Sequence, residues 1–114
     1  MDITCDEQSD MLFARVEAKR IDAAAALQFK EAMREIAGGS GAAHVVLDLS
    51  HVEFIDSSGL GAIVAVMKLM GNTKRLDLAG LTPTVDKVFR LTRMDSIFTI
   101  HADVANALAL HRTG

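Results

Sequence analysis

The chain has 114 residues, half of them hydrophobic, with a formal net charge of −3. That is the length of one domain and enough apolar material for a core, which excludes a disordered chain. Lys and Arg form no long run, so the concentrated basic face that DNA or RNA binding needs is missing and nucleic acid is excluded as a partner.

The first ten residues, MDITCDEQSD, are acidic and carry no apolar h-region, so they do not read as a signal peptide. Ile3 to Cys5 fits a short edge strand, Gln8-Ser9-Asp10 a turn, and Met11 to Val16 a second strand that pairs with the first as a hairpin. Cys5 is the only cysteine, which rules out an intrachain disulfide and a thiol zinc site, and a reducing cytoplasm is the expected compartment. Glu17-Ala18-Lys19-Arg20 reads as a charged connection. Asp22 is placed to cap the helix that follows. In that helix Ala25, Phe29, Ala32, Met33 and Ile36 share one face, with Lys30, Glu31, Arg34 and Glu35 mostly on the other. Gly38-Gly39-Ser40-Gly41 ends it.

Val45 to Leu49 is the most continuous apolar run of strand length and is expected at the centre of the sheet. A loop follows, ending in Asp56-Ser57-Ser58-Gly59. Leu60 to Met70 then predicts a helix that is apolar almost all round, broken by small residues and Lys68. Its run from Leu60 to Met67 is too short to span a bilayer, so no direct membrane insertion is expected. Gly71-Asn72 ends the helix, and Leu76 to Ala79 is a short strand. Thr82 caps a helix with Pro83 at its first position and Val85, Val88 and Phe89 on its apolar face. Ile97 to Ile100 predicts a final strand, and Asp103 to His111 a last helix with Val104, Ala107 and Leu108 inward. Strands alternating with helices in the order ββαβαβαβα predict an α/β fold. It would be a single domain over residues 1–114, with a mixed, mainly parallel sheet of four to five strands and about four helices.

The strand, turn and helix around Asp56-Ser57-Ser58-Gly59 are where chemistry is expected. The first N–H groups of a helix have no partner inside it and the dipole there is positive, so a phosphate is favoured. Asp56, Ser57 and Ser58 can each also be plain helix caps. The following helix has more apolar residues than one sheet-facing stripe uses: Leu60, Ile63, Val64, Val66, Met67, Leu69 and Met70. A partly exposed apolar face beside such a turn suits docking. Gly59-Leu60-Gly61-Ala62-Ile63-Val64 partly imitates a dinucleotide fingerprint with Asp77 downstream. Val64 stands at its third small position, however, and the chain is short for two such halves, so nucleotide binding is the weakest reading. Neither serine has the flanking glycines of a nucleophile elbow. His44, His51, His101 and His111 give no ligand pair on one helix face. They read as scattered surface residues, and no metal or cofactor is expected.

Asp56-Ser57-Ser58-Gly59-Leu60-Gly61, preceded by VVLDLS and Phe54-Ile55, resembles the signature of STAS domains. Within them it is most similar to the small bacterial anti-sigma-factor antagonists, and the element order, Leu81-Thr82-Pro83 and the length extend the likeness over nearly the whole chain. The resemblance implies Ser57, directly after the Asp, as phosphoacceptor, with Asp56, Ser58 and Gly59 as its surroundings. It implies as partners a serine/threonine kinase that uses ATP and doubles as the anti-sigma factor, and a metal-dependent serine phosphatase. The unphosphorylated form would bind the kinase and release the sigma factor. A phosphate would add roughly −1.5 to −2 charges, repelled by Asp56 and by Asp48 at the end of the strand. The partner surface would comprise the Arg20 to Asp22 loop with Ile21 and Asp22, together with Phe54, Leu60, Gly61, Val64 and Lys68, with Gly59 admitting a partner backbone. Family members commonly carry a Gly, a variable residue and Leu-Asp after the second strand. Here Ala18-Lys19-Arg20-Ile21-Asp22 keeps the apolar–Asp pair and replaces the Gly. The expectation is a binding switch in a partner-switching pathway regulating transcription, not an enzyme. The alternative is a non-phosphorylated STAS subunit of a membrane lipid-transport complex, docked permanently through the same helix.

Overall fold

The computed structural model describes residues 1–113. Ile3–Gln8 (β1) and Met11–Val16 (β2) pair antiparallel, and Ser9 and Asp10 between them take φ of 51° and 66°. Two consecutive left-handed residues make the tight turn whose twist suits paired strands. The first strand therefore runs three residues beyond the expected Cys5. His44–Asp48 (β4), Arg75–Ala79 (β6) and Ile100–His101 (β7) continue the sheet in parallel, in the order β1-β2-β4-β6-β7. β4 is central, with Val46 in register with Phe13 on one side and Asp77 on the other. The last strand is shorter and later than expected. A 3-10 turn over Met94–Ser96, with Arg93 at φ 61°, delays the chain's return, and pairing begins where Thr99 C=O accepts from Leu78 N–H.

A second, two-stranded parallel sheet joins Arg20–Ile21 (β3) to Phe54–Ile55 (β5), both of which the sequence places in connections. Side-chain alternation splits the core. Val45, Leu47, Leu76 and Leu78 meet Ala26–Gly38 (α1), Ser57–Met70 (α2) and Pro83–Leu91 (α3) on one face of the sheet. Met11, Phe13, Val46 and Ala79 meet Val104–Thr113 (α4) on the other. Among the described residues no helix is long and apolar enough to cross a membrane.

Three polar residues do other work than the sequence suggests. Asp22 does not cap α1, which begins four residues later. Its carboxylate accepts from Ala25 N–H at 3.2 Å and its carbonyl from Ala26 N–H at 2.9 Å, holding the turn before the helix. Thr82 stands at the cap position of α3 but donates its hydroxyl to Val52 C=O at 2.8 Å. Thr82→Val should therefore cost about 1 kcal/mol of stability, read as a lower urea midpoint. His44 and His101 are not scattered surface residues. Both Nε2 atoms lie 2.9 Å from Asp77 Oδ2, and Arg75 Nε donates to Asp77 Oδ1 at 2.8 Å. Asp77 and His101 are both buried.

Candidate functional site

Asp56 controls the head of α2. Its backbone is extended, φ −108° and ψ −173°, which ends β5 and lets its carboxylate turn back over the helix. Oδ1 accepts from Gly59 N–H at 2.9 Å, and Oδ2 accepts from Ala23 N–H at 3.2 Å. One side chain thus satisfies a helix-start N–H and ties α2 to the turn before α1. Gly59 sits so close to β3 that a Cβ there would lie 1.9 Å from Ile21 O. The backbone approach that Gly59 permits is therefore within the chain, not toward a partner.

Ser57 and Ser58 are the first two residues of α2 and both are exposed. Because Asp56 is the cap, neither hydroxyl enters a hydrogen bond among the described residues. Below them the helix is divided. Leu60, Ile63, Val66 and Met70 are buried, Val64 is half-buried, and Gly61, Lys68 and Leu69 are exposed.

The expected site needs three corrections. Ile21 is fully buried and Leu60 is 9% exposed; both belong to the core, so neither side chain is offered to a partner. The parity of β4 puts Asp48 on the α4 face of the sheet, where it lines a hollow with Phe13, Arg15 and Val104. There its Oδ1 accepts from Ser50 N–H at 2.9 Å. α2 lies on the opposite face, so Asp48 is not part of the surroundings of Ser57.

The sequence profile of the STAS domain matches residues 2–107. The chain belongs to the STAS domain family. This STAS domain is 36% identical over 67 residues to an anti-sigma F factor antagonist of Paenibacillus polymyxa. That match covers 57% of the chain and 56% of the relative, so it spans little more than half the length of either. Among solved structures, an anti-sigma factor antagonist of Mycobacterium paratuberculosis superposes with a TM-score of 0.85 at 23% identity, over 97% of this chain and 93% of that one. The unphosphorylated form of the anti-sigma factor antagonist SpoIIAA superposes with a TM-score of 0.76 at 20% identity, over 99% and 98%. The phosphorylated form of SpoIIAA, from Bacillus, gives 0.67 at 19%, over 95% and 97%. These likenesses establish the fold.

On this STAS domain the expected partner surface carries a stacked pair, Arg20 and Phe54. The chain has five Phe and no Trp or Tyr. Four of the Phe are buried, and Phe54, at 38% exposure, is the exception. The Arg20 guanidinium stands 4.6 Å over its ring, and Arg20 Nε donates to Asp22 Oδ2 at 3.4 Å. The pairing of β3 with β5 puts Arg20 opposite Phe54 in register. The sequence places both residues at the expected surface, and the pairing of the two short strands is what brings them into contact. Asp22, Phe54, Gly61, Val64 and Lys68 keep at least part of their side chains or backbone at the surface.

Proposed function

We propose that this STAS domain is an anti-sigma-factor antagonist whose grip on its anti-sigma factor is released by phosphorylation of Ser57. The observation that carries the reading is the division of labour at the head of α2. Asp56 does the capping, which leaves the Ser57 hydroxyl exposed and unbonded among the described residues, as a phosphoacceptor must be. Relatives named anti-sigma factor antagonists, and a structural neighbour solved both with and without its phosphate, support it.

A phosphate on Ser57 adds roughly −1.5 to −2 charges and three acceptor oxygens. The unpaired N–H groups of the first helical turn tolerate it, while the Asp56 carboxylate repels it. The charge is then directed outward, into whatever protein covers Phe54, Gly61 and Lys68, and that protein loses affinity by desolvation and like charge. A complete switch needs about 5.5 kcal/mol of differential affinity. The partners implied are a serine/threonine kinase that is itself the anti-sigma factor, and a serine phosphatase, in the cytoplasm. The protein works by binding, not turnover.

The test is the intact mass of the protein purified from its own cells, with peptide mapping over Ile55 to Lys68. One phosphate on Ser57, absent from Ser57→Ala, is the expected result. No phosphate under any growth condition, and none transferred by kinases encoded nearby, overturns the switch and leaves a constitutively docked subunit of the transport type. Ser57→Asp should weaken binding to the kinase at least tenfold, about 1.4 kcal/mol, in a titration by calorimetry.

A further inference from the structure

Helices α1 and α2 lie side by side on the sheet and leave an open groove of about 270 Å³ between their outer surfaces. Leu27 on α1 and Leu69 on α2 line it at 61% and 57% exposure, together with the half-buried Ala65 and the buried Val66. A single exposed leucine means little, but two lining one groove, Leu27 at the start of α1 and Leu69 near the end of α2, form an apolar seat. Lys30 and Arg34 line the groove one helical turn apart, and among the described residues neither side chain enters an ion pair or a hydrogen bond. Beyond Arg34 the groove runs into a second hollow of about 200 Å³ that reaches Lys74. Lys30 and Arg34 thus line the groove against one carboxylate, Glu31, and Lys74, whose ammonium donates to Ser40 and Ala42 C=O, adds a third cation at its far end, on a chain whose net charge is −3.

We propose that this groove is a second docking site, and that it takes an amphipathic helix of a partner protein with apolar residues at helical spacing and acidic residues flanking them. The apolar stripe seats along Leu27, Ala65 and Leu69, and the flanking carboxylates meet Lys30 and Arg34. A helix fits better than the alternatives. The leucines line a concavity shared with Ala65 and Val66, a shape that a flat bilayer does not follow, and every lining residue belongs to α1 or α2, so the groove offers no strand edge to a β-strand. Ala65 in the groove lies eight residues along α2 from Ser57, about 12 Å at the helical rise, so this recognition does not require the phosphoserine reading.

The test is selection of a displayed library of amphipathic helices, with randomised flanking positions, on the full chain, using Leu69→Asp as the counter-target. Leu69 is exposed, and an unchanged urea midpoint of Leu69→Asp and of Arg34→Glu confirms that both variants fold. The expected clones bind the wild type at least tenfold more tightly than either variant. Asp and Glu are enriched at their flanks, and they shift the amide signals of Leu27, Arg34, Ala65 and Leu69. The proposal is overturned if no clone discriminates, if the flanks are enriched in Lys and Arg, or if the shifts gather around Ser57. It is equally overturned if the chain instead binds phosphatidylglycerol vesicles in a way that Leu69→Asp abolishes.

Discussion

Gly59→Ala is expected to lower stability by about 3 kcal/mol, the upper part of the range for overpacking. Gly61→Ala, two residues along the same helix, should raise it by about 0.5–1 kcal/mol, the ordinary gain of alanine over glycine in a helix. A Cβ at Gly59 would stand 1.9 Å from Ile21 O and 2.9 Å from an Ile55 side-chain carbon, whereas one at Gly61 meets nothing within 4 Å. The nearest obstacle at Gly59 is backbone in β3, fixed by its pairing with β5, so no flexible side chain can swing away. Relief requires the head of α2 to lift, and that strains the bonds from Asp56 to Gly59 and Ala23. Gly59→Ala should therefore also impair phosphorylation of Ser57 by moving the hydroxyl. Urea midpoints of the two variants measure the contrast. Equal effects at the two glycines would mean that α2 does not press on β3.

How much of this was legible depends on the length of the signal. Val45 to Leu49 reads as a central strand because Val45, Val46 and Leu47 are apolar at consecutive positions, as in a strand covered on both faces, and β4 is central. β3 and β5 have two residues each, too few to show a period, yet they hold Arg20 opposite Phe54 and bring Ile21 against Gly59. Asp48 is near the Asp-Ser motif in sequence but not in space. Leu47 and Asp48 point to opposite faces, and only the packing shows that α2 covers the face of Leu47. The serines at the head of α2 were legible as a site, but which of three capping residues does the capping is decided by the extended backbone of Asp56. Periodicity does not reveal the histidine cluster, because His44 and His101 lie 57 positions apart and converge only through the strand order. The available clue was Asp77 itself, a carboxylate between Leu76 and Leu78 in a strand, which had to find donors if buried.

That carboxylate is the second large lever on stability. Asp77→Ala should cost about 3–5 kcal/mol, the usual loss when one member of a buried charged cluster is removed. Asp77 is 1% exposed and accepts from His44 and His101 at one oxygen and Arg75 at the other. Its deletion strands the buried His101 N–H and frees β4, β6 and β7 from the clamp that joins them at this face. Asp77→Asn keeps one acceptor oxygen and should cost less. The charge itself is separable by pH. Burial alone pushes the Asp77 carboxyl up, but the hydrogen bonds from His101, His44 and Arg75 outweigh it and hold it below the ordinary value of 3.8. A depressed folded value means that the unfolded chain takes up its proton first as acid is added. The stabilisation is thus complete well above 3.8 and is lost as pH falls through the folded value. The gap in unfolding free energy between wild type and Asp77→Asn should therefore be full near pH 5 and narrower near pH 3, measured by urea titration at both. A gap that stays constant or widens toward pH 3 would mean that the imidazoles and the guanidinium do not hold this carboxylate ionised.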